Sequence, residues 1–364
     1  VARRLRFDRT LFGSILSLSL FGLIMVYSAS AVVASSRRGG SPYFFVTRQA
    51  EALAGGLLLL ALIMTVDYRK WREKPLLIAG LAGSALMLIA VLFQPRINNT
   101  HRWLDLGPIS LQPSELAKIP VIIFLAHWLD LRREKLDDLG GTLLPAAAVI
   151  GGFTALVMIE PDFGTAMIFL IVGTILFFAA GLPLKYFAGA AAAGIPVLVF
   201  WMTRADYRVR RIVSFLHPES DPLGDGFQAT QSLIAHGSGG LLGSGLGNGR
   251  QKLFFLPEPH TDFVFANIGE ELGLVGAILT LALFGIVFWR AVVAAKGAPD
   301  RYGYYLALGL GSMIFVQALI HASVTLALMP TKGLPLPFVS YGRSFLVTCM
   351  IASALLLNIS QHRE

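Results

Sequence analysis

Ten mostly apolar stretches, each near the length that crosses a bilayer, constrain this chain more than any other feature. They run approximately over 10–34, 50–66, 75–93, 114–131, 142–159, 164–181, 183–202, 263–293, 303–329 and 343–360. A helix needs about 20 such residues to span the hydrocarbon core. Inside lipid every backbone amide must find its partner within the protein, which leaves helices or closed barrels. Barrel strands would read as short alternating segments, and these runs are too long and do not alternate. Composition agrees: 55% of the 364 residues are hydrophobic and 14% charged, against about 25% charged in a soluble domain. The expected fold is an all-α integral membrane protein, a polytopic bundle of about ten transmembrane helices forming one domain over 1–364.

The formal net charge of +8 is set by topology. With ten spans both termini share one side. That side collects Arg3, Arg4, Arg6 and Arg9, the run Arg69, Lys70, Arg72 and Lys74, then Arg132, Arg133, Lys135, Lys185, Arg290, Lys296, Arg301 and Arg363. The short loops opposite hold fewer, and the positive-inside rule puts both termini in the cytoplasm. This placement gives no nucleic-acid footprint. The basic start resembles a signal peptide, but its apolar run exceeds the usual ~7–15 residues, so it is read as a retained first span. The single cysteine, Cys349, excludes an internal disulfide framework and a cysteine-cluster metal site, and reads as a small buried apolar residue.

Unusual sequence gathers on the outer side, in 94–113, the tight turn 160–164, a large extracytoplasmic loop over about 203–262 between spans 7 and 8, and 330–342. Long loops in compact domains are usually functional or disordered, and Phe215, Phe227, Leu241 and Phe255 make this one too apolar for disorder. No phosphate-binding loop or dinucleotide fingerprint occurs. The glycine-rich 237–249 run matches neither and reads as tight turns or a close approach to another surface. An active surface facing outward meets neither ATP nor nucleotide sugars, so energy comes from the substrate or an ion gradient.

Five constellations bear chemistry. Pro257-Glu258-Pro259-His260-Thr261-Asp262-Phe263 opens the eighth span, with Asp262 where a helix N-cap is favoured. Arg250, Lys252, Glu270 and Glu271 crowd nearby, the last two placed inside the span, where carboxylates are costly and usually functional or paired; a basic residue on a neighbouring helix is the structural alternative. Next, Arg102-Trp103-Leu104 leads to Gln112-Pro113-Ser114-Glu115-Leu116-Ala117-Lys118, where Pro113 and Ser114 mark a helix start. Glu115 and Lys118 share a face, either as a pair or with Lys118 free for an anionic headgroup. Glu160-Pro161-Asp162-Phe163-Gly164 pins Asp162 at the outer boundary. Arg208, Arg210 and Arg211 suit phosphate or lipid headgroups. Thr331 to Gly342, with Lys332 and Ser340, is a rigid proline-rich re-entry. The histidines are too scattered to argue for a metal site.

In this order these motifs, together with Asp221-Pro222-Leu223-Gly224, Gln231-Ser232, Gly237-Ser238-Gly239-Gly240 and Gly269-Glu270-Glu271-Leu272-Gly273, resemble the signatures of the SEDS family (shape, elongation, division and sporulation), which includes FtsW and RodA. The resemblance covers nearly the whole chain. It implies a peptidoglycan glycosyltransferase acting on lipid II, the undecaprenyl-linked disaccharide-pentapeptide, at the outer face of the bacterial cytoplasmic membrane. It implies Asp262 as the essential aspartate, Glu115 and Lys118 as the family's Glu/Lys pair, and a class B penicillin-binding protein transpeptidase as partner. Thr331-Lys332-Gly333 and Gly39 to Phe44 lean towards the division branch. Arg343 and Phe345 interrupt the family's usual Ser-Tyr-Gly-Gly-Ser, His236 replaces an aliphatic residue, and Leu319 to Ser323, with His321, replaces an Asn-Ile-Gly stretch.

The chemistry expected is attack of a sugar 4-hydroxyl on the anomeric carbon of a second lipid-linked sugar, expelling lipid pyrophosphate. Asp262 takes the hydroxyl proton; a free aspartate at about 3.9 is a weak base, so partial burial or Glu258 should raise it. Arg102, Lys118, Arg210 and Arg211 are candidates for the pyrophosphate, a divalent cation (Mg or Mn) is a candidate aid, and Asp162, Glu258, His260, Lys332 and Ser340 complete the substrate-binding set. Lipid would enter between helices, whose small-residue stretch Ala188–Gly194 permits close packing. A lipid II flippase and a proton-coupled transporter are the rival readings.

Overall fold

The computed structural model describes residues 7–37, 40–95, 100–105, 107, 110–204, 209, 213–216, 225–253 and 255–363. Its long helices are α1 (Arg9–Arg37), α2 (Phe44–Met64), α3 (Lys74–Val91), α4 (Pro113–Leu131), α5 (Leu144–Ile159), α6 (Phe163–Ala179), α7 (Leu184–Thr203), α8 (Asp225–Gly239), α9 (Val264–Lys296), α10 (Arg301–Thr325) and α11 (Arg343–Gln361). Among the described residues seven are long and apolar enough to cross a membrane, namely α1, α2, α3, α5 with its preceding turn, α9, α10 and α11. With α4, α6 and α7 they fall where the ten apolar stretches were read. The strands are a hairpin of two residues each, with Leu104 opposite Leu111 and Asp105 opposite Ser110.

Sequence explains the ends of the elements. Pro113, Lys74-Pro75 and Leu144-Pro145 place proline in a first turn, where its missing N–H costs nothing. Asp162, Asp138 and Asp300 accept backbone N–H groups of the helices or turns they precede, as cap residues do. The most enclosed layer is α4, α10 and α11. Leu125, Leu129, Leu306, Leu310, Leu346 and Leu357 are fully or almost fully shielded there, and Cys349 is buried with them as expected. Asn358 ties α11 to the far end of α2, donating to the carbonyls of Met64 and Val66.

Three expectations are corrected. The 203–262 segment is not simply a loop: α8 occupies Asp225–Gly239, and turns follow it. The eighth span is not one continuous helix, because Gly273 interrupts α9 with φ of 67°. There the backbone of Leu241 and Gly243 occupies the space a side chain at 273 would need, and Leu274 and Val275 donate to the carbonyls of Gly240 and Leu241. The glycine-rich run thus makes both tight turns and a close approach, with Gly240, Gly243, Gly245 and Gly247 at positive φ. Lastly, the Ala188–Gly194 stretch of α7 is exposed rather than packed against another helix.

Candidate active site

Two polar clusters meet at one end of the bundle. The upper one surrounds Asp262, which is half-buried. α9 begins at Val264 with Phe263 in the cap position and no side-chain cap bond. Asp262 therefore stands ahead of the cap position, which corrects the N-cap reading. Its segment is fastened from several directions. The Ser340 hydroxyl donates to the Thr261 carbonyl at 2.6 Å and accepts from the Leu336 amide at 2.8 Å. The Tyr341 amide donates to the His260 carbonyl at 2.8 Å, and Asn267 donates to the Pro259 carbonyl at 2.7 Å. Gln49 of α2 clamps the re-entry itself, donating to the Ser340 carbonyl at 3.0 Å and accepting from the Gly342 amide at 3.1 Å. Gly333 lies against the carboxylate: a Cβ there would stand 3.0 Å from Asp262 Oδ2.

The groups beside Asp262 differ in charge. Glu258, at φ of 47°, has an exposed side chain 3.9 Å from the His260 ring. Burial lowers His260 to about 4, so the imidazole is neutral near pH 7, and its ring packs 4.4 Å from that of Phe45. Burial also lowers Lys332 to about 8. Its ammonium lies 4.3 Å over the Phe163 ring and 3.0 Å from Met167 Sδ, a cation on an aromatic face.

The lower cluster is built from the starts of α4 and α6 with α10. Asp162 accepts from Gln112, Ser114 and Thr165 side chains at 3.3, 3.1 and 2.9 Å. Thr165 also reaches Glu115 at 3.5 Å. Lys118 donates to Glu115 at 2.5 Å and to Gln317 at 2.8 Å, and at 0% and 1% exposure the ion pair is sealed. The pairing alternative is thus realised, and Lys118 is not a free headgroup binder here. Gln317 donates on to the Pro335 carbonyl at 3.2 Å, so the re-entry 330–342 joins both clusters. Arg102 straddles the 160–164 turn, donating to the carbonyls of Glu160 and Pro161. Glu160 has both carboxyl oxygens buried without a hydrogen-bond partner. Burial, then Asp162, raises it to about 9 against the pull of Arg102, so it holds its proton at neutral pH.

Arg208, Arg210, Arg211 and the Asp221–Gly224 motif lie outside the described residues. Glu270 and Glu271 are not in this site. Glu271 pairs with Lys252 at 2.6 Å and accepts from Ser28 and the Gly247 amide, while Glu270 accepts from the amides of Arg250 and Gln251. The partner is thus a residue of the glycine-rich turn region, not of a neighbouring helix. The family departures also acquire places. His321 Nδ1 donates to the Leu334 carbonyl at 2.6 Å, the Phe345 ring lies 5.5 Å from Lys118 Nζ, and the His236 ring fills the space beside Gly269. Sequence reading missed Gln49, Thr165, Gln317, Gly333 and Glu160. Glu160 and Gly333 carried a signal, since each lies in a motif already singled out; the other three carried none. Among the described residues no three His, Cys, Asp or Glu side chains converge as a metal would need, so no ligand set is assigned and no step is derived through a metal.

Residues 8–364 match the family model for FtsW, RodA and SpoVE, described as "Cell cycle protein". The chain belongs to this family, the SEDS proteins. Curated relatives include Stage V sporulation protein E of Bacillus subtilis, 40% identical over 94% of this chain and 93% of that one. The probable peptidoglycan glycosyltransferase FtsW of Geobacter metallireducens is 39% identical over 98% and 95%. Among solved structures, a chain from a peptidoglycan synthase complex that coordinates polymerisation and crosslinking superposes with a TM-score of 0.80, at 27% identity over 97% of both chains. The rod-shape-determining protein RodA of Thermus thermophilus gives 0.73, at 26% identity over 99% and 98%. This SEDS protein is accordingly a multi-pass protein of the bacterial cell membrane with a RodA-like helical fold.

Proposed function

We propose that this chain is a peptidoglycan glycosyltransferase that polymerises lipid II at the outer face of the cytoplasmic membrane, with both termini in the cytoplasm. The observation that carries the reading is the half-buried Asp262, faced by a glycine and preceded by residues that backbone and hydroxyl bonds fasten to the re-entry. A base fixed this way is pre-oriented before substrate arrives, which is where much of a catalytic advantage originates.

In the reaction the acceptor 4-hydroxyl oxygen forms a bond to the donor's anomeric carbon, while the bond from that carbon to the pyrophosphate oxygen breaks. Asp262 receives the hydroxyl proton, and the lipid pyrophosphate leaves with the electron pair. Lys332, next to Gly333, is the cation nearest Asp262 along the re-entry and is suited to the departing phosphate. Arg102 caps the lower cluster, and Arg210 and Arg211 complete the cationic set. Asp162, Glu115 and Lys118 support the floor beneath the re-entry, while Glu258, His260 and Ser340 shape its rim. The partner is a class B penicillin-binding protein, since the relative of similar fold works in a complex that also crosslinks.

The test is polymerisation of labelled lipid II by the purified chain with its transpeptidase, in detergent, where transport has no meaning. Glycan ladders are expected from the parent and none from Asp262→Ala, with loss on the order of 10²–10⁴ for a general base. Equal polymer from the variant would remove Asp262 from the chemistry. An inert parent that translocates lipid II in liposomes would favour the flippase reading.

A further inference from the structure

The end of the bundle opposite Asp262 holds a wide-mouthed cavity of about 670 Å³ where the ends of α4, α6 and α9 meet the start of α10. Ligand sites typically enclose about 300–1,000 Å³. Its walls owe this space to small residues, Ala179, Ala180 and Ala295, and its polar lining includes Arg133, Lys296, Arg301, Asp130 and Asp300.

The two acids are already spoken for. Asp300 accepts from the Tyr68 hydroxyl at 2.6 Å, Arg69 Nε at 2.8 Å and the Gly303 amide at 2.7 Å. Asp130 pairs with Arg72 at 3.3 Å. Both arginines come from the short 3-10 turn Tyr68–Arg72, outside the lining. Among the described residues Lys296 and Arg301 make no ion pair, Arg301 hydrogen-bonds the Tyr305 side chain one turn on, and Arg133 has only an exposed 3.4 Å contact with Glu134; all three cations are open to solvent. The cavity is therefore cationic after its own acids are neutralised.

A bland reading accounts for part of this. Lys296 lies in the last turn of α9 and Arg133 just beyond α4, where cations complement helix C-termini. Arg301 is the first residue of α10, the position that the same dipole makes unfavourable for a cation. Among the described residues its one partner in the cavity wall is the neutral Tyr305 side chain, so the three positive charges face the cavity without a counter-charge of their own.

We propose that this cavity binds a phosphate-bearing anion, gripped by Arg133, Lys296 and Arg301. Arginine and lysine are the usual phosphate partners, and basic pockets between helices at the cytoplasmic end are a recurrent way of holding anionic headgroups. The ligand is a phosphodiester lipid headgroup or a free phosphate compound. Assigning the lipid to the inner leaflet rests on the orientation proposed above, whereas binding to detergent-purified protein does not. Failure of either is thus seen separately from the other.

The experiment compares the purified full chain, the cavity triple Arg133→Gln/Lys296→Gln/Arg301→Gln, and a control triple Lys70→Gln/Lys74→Gln/Lys185→Gln. The control removes equal charge from the same end outside the cavity. Native mass spectrometry after mixing with equal phosphatidylglycerol and phosphatidylcholine reads lipid retention, and thermal unfolding with added inorganic phosphate reads the free anion. Each basic residue near an anionic lipid is worth about fivefold in binding. Phosphatidylglycerol enrichment in parent and control, falling on the order of tenfold or more in the cavity triple, supports the proposal with a lipid source. Phosphate stabilisation of parent and control but not of the cavity triple supports it with a soluble one. If neither probe separates the two triples, the cavity is not an anion site.

Discussion

A methyl group at Gly333 would come 3.0 Å from Asp262 Oδ2, so substitution there presses on the proposed base without touching the core. Gly333→Ala is expected to lower kcat on the order of tenfold, because small displacements of a positioned group are costly. The melting temperature should stay within about a degree or two, as surface changes free of strain usually allow. Rate and melting curves of the same preparation check both halves. Lys332 offers a second handle. Burial lowers it to about 8, so it is charged at pH 7 and loses its charge as pH rises through about 8. If that charge stabilises departing pyrophosphate, polymerisation falls over the same interval. Lys332→Arg, which keeps its charge, should extend activity at least one pH unit further; a pH–rate profile with an unmoved alkaline limb would separate Lys332 from the chemistry. The sequence singled out Asp262 through the ionisable groups around it and the family resemblance, and Lys332 through its proline-rich re-entry. It was silent about Gln49 and Gln317, since a neutral amide in an apolar helix announces nothing about the backbone it will meet.

Along α4 and α10 the controlling fact is that the Glu115–Lys118 pair is sealed from solvent and shared with Gln317. Removing one member of a buried pair strands the other charge, at a cost of about 3–5 kcal/mol, whereas replacing both with neutral groups is often nearly harmless. Glu115→Gln should thus lose folded yield and melt earlier, and Glu115→Gln/Lys118→Met should recover most of the loss. Activity should recover less than stability if the pair also supports the re-entry through Pro335. Fluorescence-detected size exclusion and melting curves on the set measure the first effect, and lipid II polymerisation the second. Element positions were legible because the span length is imposed by the bilayer. The break in α9 was not, because the apolar run continues unchanged through Gly273 and only the inserted Leu241–Gly243 backbone reveals it. α8 stayed hidden for a related reason: an amphipathic helix between turns lacks the uninterrupted hydrophobicity by which spans are recognised.

At the scale of the whole molecule the two ends differ in kind. One gathers Asp262, Lys332 and the glycine-rich turns; the other gathers the basic turns and the cationic cavity, which the positive-inside rule assigns to the cytoplasm. This orientation decides whether Asp262 meets lipid II where transpeptidation occurs. The protein is well suited to a direct reading, because Cys349, its single cysteine, is 2% exposed and should give almost no background with a membrane-impermeant maleimide. Glu258 and Lys74 are exposed at opposite ends. In intact spheroplasts Glu258→Cys should label at once, and Lys74→Cys only after the membrane is opened. The reverse pattern would place Asp262 in the cytoplasm, away from the outer face that the proposed reaction requires. Equal labelling of both before permeabilisation would mean leaky spheroplasts, which a cytoplasmic marker enzyme reports independently. Under the proposed orientation the charge asymmetry also separates the two proposed phosphate sites, with a catalytic one for lipid pyrophosphate outside and a holding one for a phosphate-bearing anion inside.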